Sequence, residues 1–267
     1  MITDNIKPVP PNAVRVWRGY KEPRLQLDQF YSKLGTVFVP STVLMQINAG
    51  LYSYTPTVPA GLTGKPDMVP DETAILFWDS QETYWNGFNT LAVRTYTLTH
   101  GGVYLMPDPQ KPSTVDNQSR ADLPVAFSGT LEVTQPVYLF EKAADWMHGA
   151  VTHLVAGRSP DVDSTAFRIA IANALTAIQK QGSLEGAIAC VGNDYLVYWE
   201  LRSRAPGTPN PPSGVPALRA AISGWTQLFT PAATFVPIGL WDEWLGMDVR
   251  AGSSFNMQFT RRSAVEG

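Results

Sequence analysis

A weak internal repeat constrains the fold of this chain more than any other sequence feature. Residues 13–23 (AVRVWRGYKEP) align with residues 150–160 (AVTHLVAGRSP) at an offset of 137 residues. Residues 74–79 (AILFWD) match residues 195–200 (YLVYWE) at an offset of 121 residues. A repeat of this kind indicates two copies of one supersecondary unit.

The second copy, predicted as a domain over 149–267, shows a clear series of elements. This series is indicated by the helical spacing of apolar residues, by a Gly-Asn-Asp turn and by runs of β-forming residues. The predicted elements are, in order, strand 150–157, a helix capped by Asp163 or Ser164 and ended by Gly182, strands 184–191 and 195–201, a helix from Pro216, and strand 254–260. The order is β-α-β-β-α-β.

The first copy, predicted as a domain over 1–148, follows the same order. Two loops, 55–72 and 107–124, are rich in turn-forming residues and are additional to this copy. The predicted elements are strands 13–20, 51–58, 73–79 and 130–140, a helical region from Gln26 that breaks at Pro40 and resumes with Ser41 as its cap, and a helix after Ser80 with Tyr84, Phe88 and Leu91 on one stripe.

Composition excludes several classes of protein. The net charge is −3, with 20 basic and 23 acidic residues, which argues against a nucleic-acid binder because such a protein shows a basic patch. One cysteine and three histidines argue against a disulfide framework and against a metal site. No apolar run approaches the ~20 residues of a membrane span. We expect a cytoplasmic monomer or homodimer that acts on a small molecule and binds neither nucleic acid nor membrane.

The predicted element order is that of the ferredoxin-like unit, an antiparallel sheet with both helices on one face. Two such sheets can cover each other's bare faces. Three segments resemble parts of the dimeric α+β barrel superfamily. The segment VRVWRG (14–19) resembles the opening of its EthD branch, and LFWDSQE (76–82) resembles the strand-to-helix step seen across the superfamily. The segment VTHLV (151–155) resembles the first strand of its stress-responsive branch. This resemblance implies an α+β fold in which two ferredoxin-like repeats form an intramolecular barrel with helices outside.

Alternation along the last strands predicts a polar barrel interior. Since side chains alternate between the two faces of a strand, two polar sets would face inward: Thr130, Glu132 and Thr134 in the first copy, and Ser254, Asn256, Gln258 and Thr260 in the second. An unpaired buried polar group costs about 1–3 kcal/mol, so the pattern indicates a wet or occupied interior. Glu132, Asn256 and Gln258 are therefore candidate substrate-binding residues. Alternatively, these are edge strands whose polar face meets solvent.

Arg18 and His153 are the candidate catalytic residues. If the first strand of each copy presents these side chains inward, both project into one cavity. Arginine is a permanent cation that can hold a carboxylate or an enolate, and neutral histidine can accept a proton near pH 7. The resemblance implies a base role for His153, because a similar first-strand histidine acts as a base in a polyketide-cyclising member of the stress-responsive branch. Alternatively, His153 is a satisfied core residue.

Two tryptophans and a second histidine complete the candidates. Trp78 and Trp199 align at the 121-residue offset, and the resemblance implies that they stack on a planar substrate; core packing is the alternative. His100 closes a predicted helix, where the helix dipole alone favours histidine.

The leading functional hypothesis is a small-molecule enzyme that works in the barrel cavity without a cofactor. It would oxygenate, cyclise or isomerise an aromatic or polyketide-like substrate, or act on it as a lyase. One alternative is a haem enzyme resembling aldoxime dehydratases, with His153 or His100 as the axial ligand. Another is a non-catalytic ligand-binding or assembly protein. The sequence contains no phosphate loop, nucleophile elbow or zinc-helix motif.

Overall fold

The described part of the chain forms an α+β fold of two six-stranded, mostly antiparallel sheets and the helices that cover them. The computed structural model describes residues 14–46, 49–58, 65–78, 80–107, 118–132, 136–139, 150–182, 184, 186–202, 213–224, 226–229, 238–239 and 257–258. The strands are β1 Val14–Gly19, β2 Leu51–Thr57, β3 Glu72–Trp78, β4 Arg120–Asp122, β5 Val125–Ala126, β6 Val137–Leu139, β7 Ala150–Arg158, β8 Gly186–Val191, β9 Tyr195–Arg202, β10 Thr226–Phe229, β11 Ile238–Gly239 and β12 Met257–Gln258. The α-helices are α1 Leu27–Lys33, α2 Val39–Gln46, α3 Gln81–Gly87, α4 Leu91–Thr99, α5 Ser164–Gln181 and α6 Val215–Ile222.

The second half has the ferredoxin-like order that the sequence predicts. Its strands β10-β7-β9-β8 are neighbours in one sheet, and each pair is antiparallel. Asp163 caps α5 by accepting a hydrogen bond from the Ala166 N–H at 2.9 Å. Gly182 ends the helix with a φ of +60°, a conformation that glycine adopts without steric cost. Both α5 and α6 pack on the same face of this sheet.

The first half has the equivalent strand order, β2-β3-β1-β4. Its fourth strand is β4, in which Asp122 pairs with Val16 of β1, so the prediction of that strand over 130–140 was wrong. The segment 120–122 is only three residues long, and both of its ends are charged. It therefore carries no apolar alternation from which a strand could be predicted.

The trailing strands of each half join the sheet of the other half. Strand β6, which lies within the predicted 130–140 strand, pairs with β8 in the second sheet. Strand β12 pairs with β2 in the first sheet, so the prediction that 254–260 completes the second sheet was also wrong, because β10 occupies that place. This reciprocal exchange ties the two halves together.

The core consists of an inter-sheet layer between two helix-on-sheet layers. Side chains of both sheets meet in the inter-sheet layer, which contains Val16, Ile75, Phe77, Val155, Val197 and Trp199. On the outer face of the second sheet, α5 and α6 bury a separate apolar cluster. On the outer face of the first sheet, Phe30, Phe38 and Tyr96 of the covering helices pack with Tyr104 and Trp17.

The helices of the first half differ from the sequence prediction. The backbone stays helical through Pro40, because a π-helical segment, Leu34–Phe38, precedes it and such a wide turn relieves the loss of a regular helical hydrogen bond. The helix predicted after Ser80 is split into α3 and α4, and Thr90 caps α4 through the Val93 N–H at 3.3 Å. Among the described residues, no helix combines the length and the apolar character needed to cross a bilayer.

Candidate functional site

A cavity of about 180 Å³ lies between the outer face of the first sheet and the helices that cover it. Its wall is mostly aromatic and includes Trp17, Phe38, Tyr54, Trp78, Tyr84, Phe88, Tyr96 and His100. Drug-sized ligands occupy pockets of roughly 300–1,000 Å³, whereas an engineered cavity of about 150 Å³ holds benzene. The cavity therefore suits a ligand with one aromatic ring and small substituents.

Arg15 brings a buried positive charge to this cavity. It alternates with Val14 and Val16 on β1, so its side chain lies on the outer face of the sheet, and it is only 3% exposed. Its Nη1 donates to the Val14 carbonyl at 3.0 Å, and its guanidinium carbon lies 4.2 Å from the centroid of the Tyr84 ring. The Nη2 atom has no hydrogen-bond partner among the described residues.

Trp78 supplies a second unpartnered donor. Its indole ring packs edge-on against Tyr84 at 5.1 Å and lines the cavity, and its Nε1 atom has no hydrogen-bond partner in the described part of the chain. A buried donor without an acceptor costs about 1–3 kcal/mol. Arg15 and Trp78 together thus provide two N–H groups that a ligand with acceptor oxygens would satisfy.

His100 is the histidine among the residues that line the cavity. Its Nδ1 lies 3.1 Å from the Thr97 carbonyl oxygen, which can only accept, so Nδ1 carries the proton and Nε2 keeps its lone pair. The imidazole is surrounded by the rings of Trp17, Phe38 and Tyr96 at 4.8–5.1 Å. Burial lowers the pKa of His100 to about 4, so the ring is neutral at pH 7.

A buried carboxyl group lies beyond the Trp17 wall. Glu72 is fully buried, and its Oε2 accepts a hydrogen bond from the Tyr104 hydroxyl at 3.0 Å. Burial raises the pKa of Glu72 to about 8, and the Tyr104 and Trp17 side chains oppose this rise only in part. Gly19, opposite Glu72 on β1, leaves the space that the Tyr104 ring needs, since a Cβ there would lie 2.4 Å from Tyr104 Cε1.

Arg18, predicted as the anion holder, lies between the two sheets and is already paired. Its Nε and Nη2 donate to Asp122 Oδ2 at 3.1 and 2.8 Å, and its Nη1 donates to the Tyr195 hydroxyl at 2.8 Å. Tyr195 belongs to the other sheet, so the guanidinium joins the two sheets. A substrate anion at this position would compete with the Asp122 carboxylate.

His153, predicted as the base, lies in the same inter-sheet layer. It has no solvent exposure, its Nδ1 lies 3.4 Å from Thr57 Oγ1, and its ring packs near Trp199 at 6.2 Å. Burial lowers the pKa of His153 to about 3. The helix-side cavity is lined by neither Arg18 nor His153.

The prediction that Trp78 and Trp199 flank one cavity and stack together on a planar substrate was wrong. Strand pairing places Ile75 opposite Val16 and Trp199 opposite His153, and Val16 aligns with His153 at the 137-residue offset. Trp199 therefore corresponds to Ile75, three residues before Trp78. Because an odd shift moves a side chain to the other face of a sheet, Trp199 faces the inter-sheet layer and Trp78 faces the helices.

The remaining predicted binding residues do not form a site in the described structure. The prediction that Glu132 faces the barrel interior was wrong: it is exposed, and its carbonyl accepts a hydrogen bond from Arg168 of α5 at 2.6 Å. Its segment is not a strand of the first sheet, so strand alternation does not apply to it. Asn256 lies outside the described residues, and Gln258 belongs to β12, opposite Ser53.

Sequence reasoning missed Arg15 because it followed only the inward-facing side chains of β1. The signal was present in the same alternation: Arg15 and Trp17 occupy the strand face that the helices were predicted to cover. A cation on a face destined for burial points to a functional or paired role. Within the described ranges, no group of three or more histidine, cysteine, aspartate or glutamate side chains is arranged to hold a metal ion.

Comparisons with known proteins give a few distant structural similarities. No family model and no curated protein sequence matches the chain. Two of the similar solved structures are named putative monooxygenases. One is from Lactobacillus acidophilus, with a TM-score of 0.32 and 9% identity over 82% of this chain and 96% of that chain. The other is from Fusobacterium nucleatum, with a TM-score of 0.33 and 8% identity over 81% of this chain and 92% of that chain. A third is an anthrone oxidase-like protein, with a TM-score of 0.34 and 10% identity over 91% of this chain and 92% of that chain. Similarity of this degree does not identify a reaction.

Proposed function

We propose that this protein is a small-molecule enzyme whose active site is the cavity between the first sheet and helices α2, α3 and α4. The observation that carries the proposal is the pair of buried donors, Arg15 Nη2 and Trp78 Nε1, which have no hydrogen-bond partner among the described residues and line one aromatic cavity. Protein interiors rarely leave such groups unsatisfied. A ligand in the cavity would satisfy both.

The chemistry we propose begins with proton abstraction. Nε2 of neutral His100 takes a proton from an acidic O–H or C–H of the substrate, and the guanidinium of Arg15 stabilises the resulting anion. Cofactor-independent oxygenation, cyclisation and isomerisation all start from such an anion, so this step is common to the candidate reactions. The imidazolium that forms is stabilised by the substrate anion, which offsets the cost of charging a partly buried histidine.

The size of the cavity narrows the sequence-based hypothesis. A polycyclic polyketide or a haem is much larger than a cavity of about 180 Å³, so we propose a substrate with one aromatic ring. We propose that no cofactor is needed, because His100 and Arg15 supply the base and the anion holder. We assign a structural role to Arg18 and His153, whose side chains pack or pair within the protein.

Similarity between the two halves supports a proposal about origin. We propose that the chain is a tandem duplication of an EthD-type unit and that it acts in the cytoplasm as a monomer or homodimer. Both sheets contain the same internal strand order, and each half donates a trailing strand to the other sheet.

The experiment is a turnover screen with single-ring phenols and aromatic acids, following substrate loss by mass spectrometry and oxygen uptake with an electrode. We expect His100→Gln to lower turnover by at least about 100-fold, the lower range for a general base. His153→Leu should retain turnover and serves as the matched control. Turnover that survives His100→Gln, or that disappears in a folded His153→Leu variant, would refute the assignment of the site.

A haemin titration tests the alternative that His100 is an axial ligand. A saturable Soret band at one equivalent that His100→Ala removes would replace the proposed function with a haem-dependent one. Uptake that does not saturate supports the cofactor-free reaction, whereas a saturable band that His100→Ala leaves unchanged would point to His153, the other candidate axial ligand.

A further inference from the structure

We infer that the cavity selects a single-ring aromatic carboxylate, with the carboxylate held by Arg15 and the ring enclosed by the aromatic wall. This inference rests on the site of the proposed function and deepens it by naming the chemical class of the ligand. It concerns binding, so it can be tested without knowledge of the reaction.

The preference for an anion follows from the surroundings of Arg15. Nearly all buried charges in proteins are paired, yet among the described residues Arg15 contacts a backbone carbonyl and the side chains of Tyr84 and Trp85, and none of these is a carboxylate. The polar groups that share the cavity lining with it are neutral: Gln46, Thr97, His100 and the tyrosine hydroxyls. In the described structure, no carboxylate lines the cavity to neutralise the guanidinium.

The preference for a carboxylate over a point anion follows from donor geometry. A guanidinium is a planar fork that matches the two oxygens of a carboxylate. Nη2 of Arg15 is the unoccupied side of this fork, whereas Nη1 is engaged with Val14. Trp78 Nε1 is a donor only, so it also calls for an acceptor oxygen on the ligand. Because Arg15 and Trp78 both present donors and none of the described residues lining the cavity is an acid, the site selects an acceptor-rich anionic group.

The limit of one ring follows from the volume and the wall. Trp17, Phe38 and Trp78 belong to the packed core or pack against it, so they cannot retreat without disrupting it. Phe88 differs from them, because it lines the cavity from the end of α3 and is 38% exposed. Its removal would therefore enlarge the cavity at a lower cost in stability than removal of Trp17, Phe38 or Trp78.

The test is equilibrium binding by calorimetry of benzoate, benzamide and 2-naphthoate to the full chain. Benzamide has the shape of benzoate without the charge, and 2-naphthoate adds one ring. We expect benzoate to bind at least about tenfold more tightly than benzamide. We also expect 2-naphthoate to bind at least about tenfold more weakly than benzoate. Each tenfold difference in Kd corresponds to about 1.4 kcal/mol of binding free energy. Equal affinity for benzoate and benzamide in the unmodified protein would overturn the inference, whatever the variants do.

Three variants locate the effect. Arg15→Gln should lower benzoate affinity about 10–100-fold, as expected for loss of a charged hydrogen bond, and should remove the preference over benzamide. Arg24→Gln, which removes an exposed arginine, should change neither the affinity for benzoate nor the preference for benzoate over benzamide. Phe88→Ala should restore 2-naphthoate binding. If Arg15→Gln fails to fold, Arg15→Lys takes its place: it keeps the charge but not the fork, so benzoate should lose affinity while benzamide does not. A folded Arg15 variant that retains the wild-type benzoate preference would overturn the inference.

The two proposals fail in distinguishable ways. Selective benzoate binding combined with turnover that does not depend on His100 would refute the proposed reaction and keep the ligand class. Turnover of neutral phenols that depends on His100, with no preference for benzoate, would refute the ligand class and keep the reaction.

Discussion

The guanidinium carbon of Arg15 lies 4.2 Å from the centroid of the Tyr84 ring, so a cation on strand β1 is joined to helix α3 across the edge of the cavity. Trp85 of the same helix contributes a second, more distant aromatic face at 5.6 Å. Helix α3 is short, and apart from this cation–π contact it is anchored by the packing of Tyr84 on Trp78 and by its Ser80 cap. The Arg15–Tyr84 contact therefore holds one wall of the proposed site in place.

Replacing Tyr84 tests this contact. Tyr84→Leu removes the aromatic face, and we expect it to lower the free energy of unfolding by about 1–2 kcal/mol, the range for a largely desolvated cation–π pair. Tyr84→Phe retains the face and should lose less than about 0.5 kcal/mol, which makes it the matched control. Urea denaturation of both variants measures the difference. Equal losses in the two variants would show that the aromatic face does not contribute.

Gly19→Ala tests the close approach of Tyr104 and Trp17 to strand β1. A Cβ at Gly19 would lie 2.4 Å from Tyr104 Cε1 and 2.7 Å from Trp17 Nε1, so both rings must move. We expect a loss of about 1–3 kcal/mol, as for other overpacked cores, measured by chemical denaturation. Gly101→Ala is the control, because a Cβ there meets no atom within 4 Å. Comparable stability of the two variants would contradict the packing described for Gly19.

Glu72→Gln tests the buried carboxyl group through pH. The pKa of Glu72 is raised from 4.5 to about 8 in the folded state, so between these values the folded protein binds a proton that the unfolded chain releases. Stability must then fall as pH rises through this window, by up to about 1.4 kcal/mol per pH unit. Glu72→Gln should remove this loss and gain stability relative to the unmodified protein as pH rises. If the free energy of unfolding changes with pH in the same way in both proteins from pH 5 to 8, the raised pKa of Glu72 is contradicted.

His153→Leu tests the structural role of the inter-sheet histidine. The pKa of His153 is lowered from 6.5 to about 3, so below pH 6.5 the unfolded chain binds a proton that the folded protein does not. Stability is present in full above pH 6.5 and falls as pH drops towards 3, again by up to about 1.4 kcal/mol per pH unit. The leucine variant should lack this component of acid sensitivity, seen in unfolding experiments from pH 7 to 4. If its acid sensitivity equals that of the unmodified protein, His153 does not carry the effect.

The second half shows how much local sequence can predict. Asp163 and Gly182 bound α5 as their capping chemistry indicates, and the turn at Gly192 joins β8 to β9 as a hairpin. These signals act over a few residues, so they are visible without the rest of the fold. In the first half, by contrast, Leu91 was placed on one helical stripe with Tyr84 and Phe88. It is 80% exposed, because a new helix begins after Thr90 and the stripe ends with α3.

The candidate site was harder to predict than the fold. The alternation on β1 correctly separates Arg15 and Trp17 from Val16 and Arg18, but it does not show which of the two faces retains a cavity. That depends on how completely opposing side chains fill the space. Between the sheets, Arg18 is paired with Asp122. Under the helices, Arg15 Nη2 has no hydrogen-bond partner in the part of the chain that the structure describes.

The sequence by itself determined the type and order of most elements, because periodicity, caps and turns are properties of neighbouring residues. Tertiary structure alone decided which sheet the late strands join. Strands β6 and β12 pair across to the other half, since pairing is settled by competition among distant edges. Tertiary structure also decided the strand register that places Trp78 and Trp199 on opposite faces of their sheets. A shift of three residues in the alignment of the two halves is hard to detect in a weak repeat. Such an odd shift nevertheless moves every side chain of a strand to the other face.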